Sequence, residues 1–272
     1  MYHLILLLVS VFAGLLGSLL GLGGGIIIVP MLTLGLNVDI RYAIAASLIS
    51  IIATSSGAAA SFLKDHLTNV RVAVLLELGT VTGAIVGFFV SIHIKSSLLF
   101  QLFGFFLLFS SIMMFRKKED HPSNHGHPWS SVLQLNSSFP GPDGKSIPYL
   151  VANVPFGILS MIFAGAFSAI LGIGSGIFKV MAMDGAMKLP LKVSSATSNF
   201  MIGVTASASA GAYLLRGDIR PEIASPVAIG VIIGSWFGSR IMLKMSADKL
   251  RKLFVLVLTI VSIQMILKGV RS

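Results

Sequence analysis

Apolar residues run along this chain in blocks of about 20, the length a helix needs to cross a hydrocarbon layer about 30 Å thick. The blocks fall at residues 3–35, 43–63, 70–92 and 97–115, and again at 149–187, 193–215, 221–243 and 250–268. The first of each set is too long: drawn as one helix, residues 3–35 would reach about 50 Å. The excess is centred on glycine clusters, GLGGGI and GIGSGI. The pattern therefore predicts helices that break at Gly21–Gly25 and at Gly172–Gly176. The opening MYHLILLLVSVFAGLLG lacks a basic start and its pattern recurs from residue 163, so it reads as a retained span and not a signal peptide.

Written beneath itself at an offset of 151, the chain aligns FAGLLGSLLGLGGGIIIV (Phe12 to Val29) with FAGAFSAILGIGSGIFKV (Phe163 to Val180). The register persists: Ser47 falls on Ser198, Ile51 on Ile202, Thr54 on Thr205, Ser56 on Ser207 and Leu63 on Leu214, and Gly79, Gly83 and Gly87 fall on Gly230, Gly234 and Gly238. Such self-similarity marks a repeat architecture. The chain divides into one repeat over 1–115, a polar Pro/Gly/Ser/His-rich linker over 116–148, and a second repeat over 149–272.

Composition turns the pattern into a class. Of 272 residues 55% are hydrophobic and 11% charged, with a mean hydropathy of +0.92, where a soluble domain carries about 25% charged residues. A soluble fold is excluded and an all-α polytopic membrane protein is expected. The net charge of +10 reflects Lys/Arg-rich cytoplasmic loops, not nucleic-acid binding. With no cysteine, disulfides and thiolate chemistry are excluded.

Charge also chooses a topology. If each first segment crosses once, the Lys/Arg outside the spans divide almost equally between the faces. If it descends, turns at the glycines and climbs back, thirteen lie on one face and six (Arg41, Lys95, Arg216, Arg220, Lys268, Arg271) on the other, with the intraspan Lys179 left out. The positive-inside bias favours the second arrangement: two inverted-topology repeats, about eight transmembrane helices, a glycine-broken re-entrant first segment in each repeat, a cytoplasmic linker and both termini outside.

Inverted repeats with broken helices characterise secondary transporters. A helix that starts in mid-membrane presents unpaired N–H groups and partial positive charge, suited to an anion. Gly21, Gly23, Gly24 and Gly25 in the first break and Gly172, Gly174, Ser175 and Gly176 in the second are the backbone candidates. Tight packing is the competing reading, since Gly17, Gly21 and Gly25 form a small-xxx-small ladder; the repetition of the break favours a site. Ser47, and Thr197, Ser198 and Asn199 in the second repeat, read either as N-caps of the next helix or as donors lining a cavity. Lys179 stands where the first repeat has Ile28, as an anion ligand or as a lysine reaching an interface. Glu77 is the acid well inside a span. It is a candidate for proton coupling, or a counter-ion for Lys179 or Arg71, although a near-interface carboxylate facing water is the favoured reading; its partner position is Ala228. The glycine ladders at 79–87 and 230–238 read as packing stripes, within the subunit or across a homodimer.

Other signals carry less. His121, His125 and His127 have no Cys or spaced acids to complete a metal site, and GPDGKS lacks the leading glycine and strand of a P-loop. No catalytic set lies in a span, so neither an enzyme, a cofactor nor a resident metal is expected.

The duplicated FAG…GLGGGIIIVPML and FAG…GIGSGIFKVMAM signatures, each followed by a Ser/Thr-bearing segment, resemble the TauE/SafE sulfite exporter family of membrane transporters, over everything but the linker. The resemblance implies a plasma-membrane permease for a sulfur-containing anion such as sulfite or an organosulfonate, driven by an ion gradient. Two departures stand out: Met181 replaces the motif proline, Pro30, and Lys179 replaces an apolar residue. The expected partners are the small anion, the bilayer and a second copy of the chain. A permease for another small anion such as a carboxylate, a passive anion channel and a membrane scaffold are the alternatives.

Overall fold

The computed structural model describes residues 2–20, 25–64, 66–115, 126–140, 146–242 and 247–271. Helices dominate. The first repeat contains α1 (Tyr2–Leu20), α2 (Gly25–Pro30) continuing into a π-helical turn (Met31–Gly35), α3 (Ile40–Lys64), α4 (Val70–His93) and α5 (Ser96–Phe115). The second repeats that order with α7 (Val154–Leu171), α8 (Gly176–Val180), a π-helical turn (Met181–Ala186), α9 (Leu191–Arg216), α10 (Pro221–Met242) and α11 (Ala247–Arg271). Pro30 lacks an N–H, which would excuse a widened turn. Met181 opens the same turn without that excuse, so the π geometry belongs to the repeat and not to the proline.

The linker is more structured than a polar joining stretch. It holds a short helix, α6 (Pro128–Val132), and an antiparallel hairpin of β1 (Ser137–Pro140) and β2 (Ser146–Tyr149), so the chain is not wholly α-helical. Leu135, Tyr149, Val151 and Val154 pack with Val72, Leu76, Met183 and Met187 in one buried cluster. Asn69 fixes the dock. As N-cap of α4 it accepts from Val72 N at 3.0 Å, and its Nδ2 donates to Leu135 O and to Tyr149 Oη, both at 2.8 Å. Burial pushes the Tyr149 phenol above its usual range, against hydrogen bonds from Asn69 and Ser137 that lower it.

Helix packing links the repeats to one another. The pairs are α1 with α10, α4 with α7, α5 with α11 and α3 with α9. Glycine makes the closest contacts possible: a Cβ on Gly79, Gly83 or Gly165 would lie 2.8 Å from Ile158 O, 2.0 Å from Ile162 O and 2.0 Å from Thr80 O respectively. The α1–α10 contact is the same set under the sequence offset, Gly230 on Leu7 O, Gly234 on Val11 O and Gly14 on Val231 O. Both pairs run parallel, since the contacts ascend together. In contrast α5 and α11 run antiparallel: Gln101 Nε2 donates to Gly269 O at 3.2 Å, Gly104 lies on Ser262 O, and Ser111 Oγ is 3.0 Å from Thr259 Oγ1. The ladders are thus used within the chain, which removes them as an argument for a dimer; the side-chain position of Gly238 is outside the described residues.

The second broken segment returns to its own start. Asn153 Nδ2, just before α7, donates to Ala186 O at 3.0 Å, and Ala152 N to Met187 O at 2.9 Å. An apolar core is flanked by unusually apolar outer faces and contains buried hydroxyls. Large apolar side chains such as Leu78 (66% exposed), Phe163 (61%) and Phe89 (59%) face outward, while Ser47, Ser50, Thr80, Thr197 and Ser209 are buried. Val70–His93 and Val154–Leu171 are each long and apolar enough to cross a bilayer.

Candidate functional site

The second break is a turn of left-handed backbone. Gly172 (φ +66°) caps α7, its N–H bonded to Ser168 O at 2.8 Å, and Gly174 (φ +68°) and Ser175 (φ +51°) follow. Glycine takes that region without strain, whereas Ser175 pays a steric penalty there. The first break meets the second: a Cβ on Gly25 would lie 2.9 Å from Gly172 O and 2.8 Å from Ser47 Oγ. Ser47 Oγ itself donates to Gly172 O at 2.7 Å, and its repeat mate Ser198 donates to Gly176 O at 3.2 Å. Two repeat-related isoleucines close around this core, Ile51 against Gly25 and Gly174 and Ile202 against Gly174 and Gly176.

Two buried hydroxyls have no hydrogen-bond partner among the described residues here, Ser175 Oγ within the break and Ser168 Oγ one turn before Gly172 on α7. The first sits at the N-cap of α8 and makes no capping bond. A buried hydroxyl left unpaired costs about 1–3 kcal/mol, and such groups in a structure call for an explanation.

One helical turn beyond Ser175, Lys179 is fully buried. Its Nζ donates to Glu77 Oε1 on α4 at 3.3 Å and to Thr205 Oγ1 on α9. Thr205 Oγ1 in turn lies 3.1 Å from both Glu77 carboxylate oxygens and 3.0 Å from Met201 O. Thr80 Oγ1 donates to Glu77 Oε2 at 2.8 Å and lies 3.2 Å from Glu77 O. Four side chains from three elements thus form one ionic network in the interior. The cluster resolves two expectations. Glu77 is 7% exposed and is the counter-ion of Lys179, not a carboxylate facing water. Lys179 points inward and does not reach for an interface.

The polar candidates after each break are not N-caps. Ser47 lies well inside α3, and α9 is preceded by Pro190 with no side-chain cap bond. Ser47 and Ser198 instead stitch their helices to the second break. Thr197 Oγ1 accepts from Asn69 N at 3.0 Å, tying α9 to the start of α4, and Asn199 Nδ2 donates to Ser195 O at 2.9 Å within α9. Gly21, Gly23 and Gly24 lie outside the described residues. Thr80, Thr205 and Ser168 are the residues that sequence reasoning did not single out; an inventory of hydroxyls one turn from each intraspan charge would have flagged Thr80, three residues from Glu77, but not Thr205, 26 residues from Lys179. No group of three or more potential metal ligands occurs among the described residues.

The short α8 limits what backbone alone supplies. Five residues carry little of the dipole of a full helix, so charge for an anion at this break must come from Lys179.

A family model described as "Sulfite exporter TauE/SafE" matches residues 6–265. The chain belongs to this family. The TauE/SafE match is supported by relatives aligned over nearly the full length. The chain is 28% identical to "Probable membrane transporter protein YunE" of Bacillus subtilis (strain 168), with 100% of each chain covered. It is 27% identical to "Probable membrane transporter protein MJ0441" of Methanocaldococcus jannaschii, with 97% of this chain and 95% of that protein covered. No solved structure matches the chain. This TauE/SafE protein is therefore a membrane-embedded transporter.

Proposed function

We propose that the protein is a secondary transporter that carries a small sulfur-containing anion, sulfite or an organosulfonate, across the plasma membrane. The anion binds at the second glycine break, beside Ser168, Ser175 and Lys179, with Gly25, Ser47 and Ser198 holding the two breaks together. The single observation that carries this reading is the partnerless buried hydroxyl of Ser175 one helical turn before the buried ammonium of Lys179. A sulfonate brings three acceptor oxygens and one negative charge, which suits a hydroxyl donor and a cation together. Every one of these groups is buried, which fits an occluded state.

An inverted repeat supports transport across the membrane. The repeat-equivalent α5 and α11 run antiparallel where they touch, as an axis in the membrane plane requires. The return of 149–187 to its own start supports a re-entrant segment, and the Lys/Arg bias supports a cytoplasmic linker. Rocking of one repeat against the other about the joined breaks would expose the site alternately to each side.

Thermal unfolding of the purified protein with sulfite, sulfate, thiosulfate, methanesulfonate and acetate tests the binding claim. A ligand at 100 times its Kd stabilises the folded state by about 2.7 kcal/mol. Selective stabilisation by sulfite or methanesulfonate is the expected result, and Ser175→Ala should weaken it about tenfold or more, the worth of a hydrogen bond to a charged group. Equal stabilisation by acetate would assign the site to anions generally; no response to any anion would refute it.

A further inference from the structure

We propose that Glu77 and Lys179 form a proton-operated switch in which a proton taken up by Glu77 releases the Lys179 ammonium to bind the transported anion. The proposal rests on the anion site described above and assigns its coupling ion. One proton passes from water to a Glu77 carboxylate oxygen, no bond of the anion changes, and one negative charge and one proton are bound together.

The pair is not demanded by the architecture. At the positions the repeat aligns with Lys179, Glu77 and Thr80, the chain has Ile28, Ala228 and Val231. Thr205 keeps its counterpart, Thr54. The same fold is therefore built twice, once without an ion pair and once with a buried one, and an ion pair is seldom the more stabilising choice. Something other than packing accounts for it.

The network is arranged to survive a change of protonation. While Glu77 is ionised, the hydroxyls of Thr80 and Thr205 donate to its carboxylate. Each also has a backbone carbonyl in reach, Glu77 O at 3.2 Å for Thr80 and Met201 O at 3.0 Å for Thr205. When the carboxylate takes a proton and becomes a donor, a hydroxyl can turn its own proton to that carbonyl and accept the acid's. No buried group is stranded in either state, because the ordinary i−3 and i−4 carbonyls of the helices serve as alternative acceptors.

The released ammonium has a destination. Lys179 N donates to Ser175 O at 3.1 Å, so the two residues lie one turn apart on the same side of α8, and Ser175 Oγ is the buried hydroxyl that lacks a partner. An anion drawn there takes the ammonium from Glu77, and a buried carboxylate deprived of its counter-ion takes up a proton in preference to staying charged. Binding of proton and anion is then reciprocal. Other charges stand off from the pair along the chain. On α7 there is no titratable side chain; on α9 Lys192, Tyr213 and Arg216 lie toward the ends, as do Arg71 and His93 on α4. Asp184 is on the π turn after α8, and Tyr149 is on the docked hairpin.

Methanesulfonate is the probe, because it stays ionised at every working pH and any pH dependence belongs to the protein. Its affinity is measured by thermal shift at pH 5.5 and 8, with proton uptake followed by an indicator dye. Three proteins are compared: the unmodified chain, Glu77→Gln, and Lys179→Ile with Glu77→Ala, which copies the first repeat's apolar pair and so keeps a folded reference. The unmodified chain should bind more tightly as pH falls, by up to about tenfold per pH unit, the limit for one proton, and should take up a proton on binding. Glu77→Gln should take up no proton on binding at pH 5.5, and the double variant should fold but lose at least tenfold in affinity. Proton uptake at pH 5.5 that persists in Glu77→Gln, or full affinity in the double variant, overturns the switch. Binding by the unmodified chain that is independent of pH defeats the switch and leaves the anion site standing, whereas no binding at either pH defeats both.

Discussion

Ser175, Lys179 and Glu77 show how much a single position can depend on a residue far away in sequence. Lys179 and Glu77 are each tolerable in the interior only because the other is present. Lys179→Ile alone leaves an unpaired buried carboxylate, and breaking a buried pair this way costs about 3–5 kcal/mol. Adding Glu77→Ala should recover most of that loss, and the thermal midpoints of the two variants in detergent test it; a double variant no more stable than the single would refute the pairing. Hydropathy identified both residues as intraspan charges. It did not orient Glu77, because depth along a span says nothing about which face a side chain occupies or what stands opposite. The partner lies 102 residues on, in another repeat. Ser47 and Ser198 were legible as a repeated pair, but their task, donating to the backbone of the break, depends on tertiary placement.

At the scale of elements, glycine spacing was the most informative signal in the sequence, because a ladder without side chains permits one arrangement above others, helix on helix at backbone contact. Gly83 tests it. With a Cβ placed 2.0 Å from Ile162 O, Gly83→Leu should force α4 from α7 and abolish the folded, monodisperse protein on size exclusion. Gly211, within α9, has nothing within 4 Å of its Cβ position, so Gly211→Ala should be tolerated and add about 1 kcal/mol through helix propensity. Equal behaviour of the two variants would contradict the packing. The breaks were equally legible as breaks. So was a short helix resuming after each, but the π turn that ends it was not, since Met181 in place of Pro30 removes the local cue. The hairpin was hidden for another reason: its strands are four residues each and sit in a stretch whose composition reads as a loop.

For the whole molecule, the repeat offset visible in the sequence maps one set of interhelical contacts onto the other, so the exchange of partners between halves could be anticipated in kind though not in its pairings. The docked linker joins that assembly through Asn69, and Asn69→Ala removes a cap and two bonds to the linker. A loss of about 1–3 kcal/mol is expected, seen as faster hydrogen exchange at β2 and at Val151; unchanged exchange there would show that the apolar cluster alone holds the linker. Joined breaks that carry an anion across the membrane must show it as flux. Labelled methanesulfonate and labelled sulfite are offered to proteoliposomes of the unmodified chain and of Ser175→Ala, against acetate as the control. Saturable uptake of the sulfur anions, driven by an inward proton gradient and weakened about tenfold in Ser175→Ala, is the predicted result. Uptake that does not saturate, or that is the same for acetate and in Ser175→Ala, would contradict it.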